Sequence, residues 1–527
     1  MTVKILKIDK IPVEEQTPLV LTLLESLNLL HEENQALRDE IARLKGEKTK
    51  PDIKPSKLEP PARNKSKPTT KRPGSDKRSK TESLEIHDTI KVAPENLPTG
   101  STFKEYNDFV VQGLHIQPFN IQYRLERWIS PDGQSFVGKL PAELNGSHFN
   151  SELKRFILYQ YYNAHVTQPI LLDQLHDMGF DISSGQLSNI ITEGHDSFHN
   201  EKDAILKAGL SVSAHINVDD TGARHEGKNG YCTHIGNELF ATFHSTDSKS
   251  RVNFLKLLCA GHTDYVINAS ALSYMHSLKL PQDPLSRITT QFLMVFKDEE
   301  MWNESLKSLG IEKKHHIRII TEGALIGSLV EHGFNTGMVI VSDDAGQFNI
   351  LNHALCWVHA ERHINKLVGL TDEQKQAVDD IQSEIWGLYE SLKAFKDQPD
   401  EQKKADIKAK FDEIFKKETC FASLNKALER IHRNKSELLR VLDFPDIPLH
   451  NNLSENDIRE YVKRRKISGS TRSALGRQCR DTFTSLKKTC RKLNISFWDY
   501  LKDRLCGLNV IPFLPDVITI KAQTFFV

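Results

Sequence analysis

The acids of this chain that could do chemistry stand at the ends of predicted strands and at the start of a predicted helix. His450 to Lys466 reads HNNLSENDIREYVKRRK. Asn452 is a good N-cap and Glu455 follows three residues later, the spacing of a capping box. On helical spacing Glu455, Arg459, Lys463 and Lys466 share one face, while Ile458, Tyr461 and Val462 make an apolar one. A carboxylate beside a row of cations suits metal-assisted work on phosphates; the plain alternative is a helix cap on a solvated face. Upstream, His215 to Asp219 (HINVD) reads as a short strand running into acids. Met338 to Val341 (MVIV) is a β-branched run that ends in Ser342, Asp343 and Asp344. Ligands gather at strand ends in α/β proteins. Strand-end acids near 219 and 343, with a helix-borne Glu455, are the inventory of a site holding two divalent ions about 3.5–4 Å apart for phosphoryl transfer. Hard oxygen ligands favour Mg²⁺ or Mn²⁺ there. In a chain with 70 Asp and Glu, three acids count only in context.

That context begins with size and charge. A chain of 527 residues is long enough for roughly three domains, each with its own core. The 70 Lys and Arg balance the 70 acids, so affinity for nucleic acid has to come from local patches. Two stand out: Lys45 to Lys80, and Arg459 to Lys492, the latter contributing Arg472 and Arg477 beyond the helix already named. Seven widely spaced cysteines without a C-x-x-C pair argue against a disulfide framework and fit a reducing cytoplasm. No signal-peptide core or membrane-length apolar run is expected, so the chain is assigned to the cytoplasm, away from membranes.

Along the chain, Val20, Leu23, Leu27, Leu30, Asn34, Leu37, Ile41 and Leu44 alternate spacings of three and four, the seam of a coiled coil over residues 1–45. Asn34 at an a position predicts a two-stranded parallel self-association; the alternative is a helix docked on its own chain. Residues 46–84, rich in Lys, Pro and Ser, form a basic linker that cannot build a core. Within 85–150, alternating Phe119, Ile121, Tyr123 and Leu125 with an SPDG turn predict a small β-rich module. Residues 151–205 are helical, with a helix over Ile170 to Met178, a turn at Gly179 and a second helix over Ser184 to Ile191 capped by Ser183. This helix-turn-helix layout would present Ser184, Gln186 and Asn189 to a DNA groove. Residues 206–365 hold the strands, with an insertion around 253–319; residues 366–445 are a helical insertion, 446–505 the helices that carry Glu455, and 506–527 a mixed tail. Cys356, His359 and His363 have spacings zinc could use, although only three ligands are in view.

VDDTGARHEGKNGY at 218–231, VSDDAGQFN at 341–349, CWVHAERH at 356–363, and NNLSENDIR at 451–459 followed by GRQCRDTFTSLKKTCRKLNI resemble the transposases of the insertion sequence 66 family, within the DDE superfamily. The resemblance covers most of the chain and implies an α/β RNase H-like catalytic core, a mixed sheet with flanking helices, interrupted by a helical insertion. It carries the family's first acid, in D-[DE]-T, to Asp219, its second, after Ser in S-D-x-x-x-x-[FY]-N, to Asp343, and its third, in N-N-x-x-E-x-x-I-R, to Glu455. Asp220 and Asp344 sit beside the first two. The implied activity is cleavage at transposon ends and transfer of the 3′-OH ends into target DNA, with two Mg²⁺ or Mn²⁺ ions on Asp219, Asp343 and Glu455. Arg459, Lys463, Lys466, Arg472 and Arg477 are expected on DNA phosphates. The implied partners are double-stranded DNA (terminal inverted repeats and target), a second copy of the chain through the coiled coil, and accessory proteins of the same element. The competing functions are a DNA-binding protein derived from such an element and a structure-specific RNase H-like nuclease. Two features depart from the family pattern. Residues 84–150 contain no cysteine, so that module has to fold without zinc, and the stretch before Asp343 is long.

Overall fold

The structure, a computed structural model, describes residues 85–525 except 142, 143, 145 and 146, together with positions 12, 17, 19, 20, 22–27, 29, 30 and 33. The expected basic linker 46–84 and the seam positions Asn34, Leu37, Ile41 and Leu44 lie outside the described residues.

A mixed five-stranded sheet organises the molecule. Ahead of it, β1 (Arg127–Ile129) and β2 (Ser135–Val137) make a small exposed hairpin. Gly133 takes φ +84° in its turn and donates to Ser130 O at 2.8 Å. The apolar alternation at 119–125 precedes this hairpin and forms no strand. Alternation specifies a strand only where a ladder and a covered face exist to receive it, and these side chains are exposed.

Helices α1 (Ser151–Leu158), α2 (Gln168–Asp177), α3 (Ser184–Thr192) and α4 (Asp196–Val212) lead into the sheet. The turn between α2 and α3 passes Gly179 at φ +86°, and Ser183 caps α3 in a reciprocal capping box with Gln186. The sheet follows as β3 (His215–Gly222), β4 (Tyr231–Gly236), β5 (Ala241–Thr246), β8 (Val339–Ser342) and β9 (Asn352–Leu355). Its spatial order is β5-β4-β3-β8-β9. The pairs β5/β4 and β4/β3 are antiparallel, while β3/β8 and β8/β9 are parallel.

A subdomain is inserted between β5 and β8. It comprises α5 (Arg251–Leu258), β6 (Tyr265–Val266), α6 (Ala269–Ser277), α7 (Gln282–Thr289), β7 (Val295–Phe296), α8 (Glu299–Ser308) and α9 (Lys314–Glu331). The helix α9 presses so close to β6 that a Cβ on Gly327 would lie 2.1 Å from Val266 O. After β9 come α10 (Trp357–Asn365), then the helical insertion α11 (Asp372–Asp397), α12 (Glu401–Phe415), α13 (Ala422–Arg433) and α14 (Lys435–Leu438). The chain then returns through α15 (Asn452–Ser468), α16 (Ala474–Lys492) and α17 (Phe497–Cys506). The stretch after Cys506, given no role by the sequence, forms α18 (Leu514–Phe525), which buries Leu514, Ile518 and Ala522.

The sheet separates two cores. Met338 and Ile340 of the β8 segment join the core built with the N-terminal helices and the inserted subdomain, whereas Val339 and Val341 join that of the helical insertion. A strand covered on both faces reads as a continuous apolar run, which is why MVIV lacks alternation. The edge strand β5 is closed by a helix rather than by another strand. Thr489, Ser485 and Asp481, spaced one turn apart on α16, accept from the backbone N–H groups of Ala241, Phe243 and Ser245 at 3.2, 2.9 and 2.6 Å. No described helix is long and apolar enough to cross a membrane.

Candidate active site

Three elements aim the acids. The parallel register pairs Asn217 with Val341, and continued by two residues it sets Asp219 opposite Asp343 at the ends of neighbouring central strands. Side chains alternate along β3. Asn217 donates to Asn451 Oδ1 at 2.9 Å and Thr221 accepts from Arg465 at 3.1 Å, so Asp219, between them in the same alternation, shares the face that α15 covers. Asp220 points the other way and accepts from Thr233 at 2.6 Å and Gln347 at 2.7 Å. At the second position Asp343 Oδ1 accepts from the Ala345 N–H at 3.1 Å, and Asp344 turns outward to Arg430 at 2.6 Å. Each adjacent pair therefore splits into one acid held beside the other strand's acid and one engaged elsewhere.

Helix α15 is fixed to the sheet along one face. Asn451 donates to Val218 O at 2.8 Å, and His234 meets Ser454 at 2.6 Å and Asp457 at 3.2 Å. Ile458 and Tyr461 pack with Cys232, Ala241 and Phe243. Val462, expected on the apolar face, is only partly buried. The expected capping box does not form. The N-cap is Asn451 rather than Asn452, and the Asn451 side chain makes no cap hydrogen bond because it is spent on β3. Glu455 is thereby released from any capping role. Its nearest basic groups are the His359 imidazole and the Arg362 and Arg459 guanidinium groups, at 3.7, 3.9 and 4.0 Å; burial lowers the His359 pKa, and the buried Glu455 Oε1 has no hydrogen-bond partner.

The electrostatics follow from this crowding. Burial first, then the Asp343 charge, with a further contribution from Glu455, pushes the Asp219 carboxyl up to about 8. Burial also raises Asp220, while its bonds from Thr233 and Gln347 work the other way. The three acids do not all lie within 4.8 Å of one another, because the one group of metal-ligating side chains that meets that spacing among the described residues is elsewhere.

Cys356, His359 and His363 do not come together as a zinc ligand set among the described residues. The Cys356 Sγ accepts from Asn451 N–H at 3.2 Å, and His359 turns to Glu455. His359 and Arg362 beside Glu455, and Gln347 on Asp220, are site residues that the sequence reading did not assign. The signal lies in CWVHAERH, where His359 and Arg362, three positions apart on α10, face the start of α15, whereas the resemblance marks this stretch only as a family motif and gives neither residue a role.

Of the expected DNA contacts, Arg459 and Lys463 are exposed at 66 and 65%, with Lys463 near Glu460 at 3.6 Å. Lys466 and Arg472 are exposed, and Arg477 is held by Asp247 at 2.8 Å. Ser184, Gln186 and Asn189 lie exposed on α3. The Gln186 side chain is partly committed, since its Oε1 accepts from Ser183 N–H at 2.9 Å.

The sequence model of the transposase IS66 family matches residues 322–478, a span that holds Asp343, Glu455 and the helical insertion. A protein of Sinorhizobium fredii (strain NBRC 101917 / NGR234), named Uncharacterized protein y4jO, is 44% identical over 307 residues, 58% of this chain and 95% of that relative.

Proposed function

The chain belongs to the transposase IS66 family and is a transposase, and we propose from this that it cleaves phosphodiesters at its element's terminal inverted repeats and joins the freed 3′-OH ends to target DNA. Asp219, Asp343 and Glu455 would hold two Mg²⁺ or Mn²⁺ ions. When bound, such ions lower the pKa of a water or 3′-hydroxyl and offset charge on the leaving oxygen. The residues present fit such ions: Glu455 Oε1 is buried without a donor, and burial together with the Asp343 and Glu455 charges pushes Asp219 toward protonation. His359 and Arg362 stand beside Glu455 from α10 without hydrogen-bonding it, and Asn451 ties the start of its helix to the strand of Asp219.

We further read the sheet as RNase H-like. Support comes from its order, an antiparallel trio followed outward by two strands parallel to the first, with acids at the ends of the two central parallel strands. Arg459, Lys463, Lys466, Arg472 and Arg477 are assigned to the phosphates of the cleaved strand, and Ser184, Gln186 and Asn189 to a groove of the terminal repeat. The exposed stripe of Leu23, Leu27 and Leu30 is assigned to a second copy of the chain. These assignments put the protein on the chromosome in the bacterial cytoplasm, with accessory proteins of the same element as further partners.

The observation that carries the reading is the sorting of the paired acids, Asp219 with Asp343 and Glu455, against Asp220 and Asp344 turned elsewhere. Purified protein with labelled terminal-repeat DNA and Mg²⁺ should cut, and Asp343→Asn should lose about a thousandfold or more of that rate. Asp344→Asn, which touches only the surface contacts to Arg430 and Asn434, should stay within about tenfold of the parent. Equal losses in the two variants would sink the assignment. Intact end binding without any metal-dependent cleavage in the parent would instead favour a derived DNA-binding protein, and cleavage without capture of a target duplex a nuclease.

A further inference from the structure

Away from the candidate active site, the inserted subdomain brings two histidines and an aspartate to one point. His262 and Asp264 lie in the link between α5 and β6, and His332 is the C-cap residue of α9. One ligand atom from each lies within 4.8 Å of the others, which holds for no other group of His, Cys, Asp or Glu among the described residues. The His332 Nε2 stands 2.9 and 3.0 Å from the two oxygens of Asp264, and the His262 ring stacks on that of His332 with centroids 3.6 Å apart.

We propose that His262, Asp264 and His332 form a binding site for one divalent transition-metal ion of the Zn²⁺ class, distinct from the Asp219, Asp343 and Glu455 acids. Two imidazoles and one carboxylate make the donor set of a three-ligand zinc site with a fourth position left for water or a further ligand. Imidazole nitrogen selects Zn²⁺, Ni²⁺, Co²⁺ or Cu²⁺ over Mg²⁺, so the two kinds of site discriminate by donor chemistry. The surroundings prepare the carboxylate and the charge. Ser328 Oγ donates to Asp264 Oδ1 at 3.1 Å and orients it, and the negative end of the α9 dipole favours a cation at its last turn. His262 and Asp264 are partly buried and His332 is exposed, which leaves a path for the ion. Binding replaces the His332–Asp264 hydrogen bond and swings the stacked His262 ring so that its nitrogen meets the ion. The ion would fasten the link before β6 to the end of α9, the helix from which the chain runs into β8 and Asp343.

The test uses the full chain, stripped with a chelator, dialysed, and titrated with Zn²⁺ against a chromophoric competitor in excess Mg²⁺. The parent and Asp343→Asn should each take up a Zn²⁺ equivalent that His262→Ala/His332→Ala lacks, and Zn²⁺ should raise the melting temperature of the first two only. Co²⁺ in place of Zn²⁺ should give a visible absorption band that the double variant loses. Equal uptake by the double variant, or no uptake by the parent, overturns the proposal. Should the double variant melt lower even without metal, His332→Gln, which keeps a hydrogen bond to Asp264, decides: loss of the Zn²⁺ equivalent upholds the site and retention overturns it.

Discussion

At the scale of single residues, the site turns on which member of each acidic pair faces the other strand. The letters D-D at 219–220 and 343–344 cannot say, because alternation assigns faces only once a partner covers one of them. Asn217 and Thr221 reaching α15 supply that partner for Asp219, and Arg430, from a helix 86 positions later, removes Asp344 from the contest. The resemblance assigns the same members from motif position, and the comparison of Asp343→Asn with Asp344→Asn tests that assignment. Buried charge elsewhere on α15 makes a separate prediction. Burial alone would raise the Glu460 carboxyl, but the His165 hydrogen bond and the Lys487 charge outweigh it and hold Glu460 well below its usual range. The unfolded carboxylate therefore takes up a proton first as pH falls. Stability from this group is full above its unfolded value near ~4.3 and is lost as pH drops toward the lower folded value. Glu460→Gln should flatten that part of the acid-unfolding curve. It should also cost up to about 3–5 kcal/mol at neutral pH, because the buried Lys487 charge keeps the Tyr162 carbonyl but loses its compensating carboxylate. Thermal melts across pH measure both, and an unchanged acid limb would show that Glu460 is not the group responsible.

At the scale of elements, long apolar and helical patterns were legible, and so was the turn at Gly179 with its Ser183 cap. These signals are local. The capping box at Asn452 and Glu455 failed because Asn451 serves a partner 234 positions away, a use of its side chain that local spacing does not encode. The closure of β5 by α16 was equally hidden, since Asp481, Ser485 and Thr489 read in sequence as an ordinary polar face of a helix. Their spacing of four matches alternate N–H groups of the strand, so each residue caps one donor that a sixth strand would otherwise take. Ser485→Ala should leave the Phe243 N–H unpaired and lower stability by about 1–3 kcal/mol, read from denaturant midpoints. A midpoint unchanged from the parent would mean that the edge strand does not depend on this helix.

At the scale of the whole molecule, the first helical stretch has two apolar sides. Leu24 is buried, and Glu25 and Leu29 line a small cavity with Leu367, Leu370 and Phe421, so one side docks on the helical insertion. Leu23, Leu27 and Leu30 remain exposed at 55, 51 and 54%. The two readings of this stretch, self-association and docking on its own chain, are thus not exclusive. The parent is expected to sediment as a dimer and Leu27→Glu as a monomer with unchanged secondary structure; a monomeric parent at micromolar concentration would refute the assignment of this stripe.

The tie between Asn451 and β3 also sets an order in time. A ribosome makes Asp219 and Asp343 long before the residues that hold Glu455 over them, and the α16 side chains that close β5 come later still. On the proposed assignment of Glu455, a growing chain therefore lacks its third acid until the residues around 455 have left the exit tunnel. Ribosomes stalled before residue 451 should leave end-bearing DNA uncut where the released full chain cuts it, and cleavage by the stalled complexes would contradict this order of assembly.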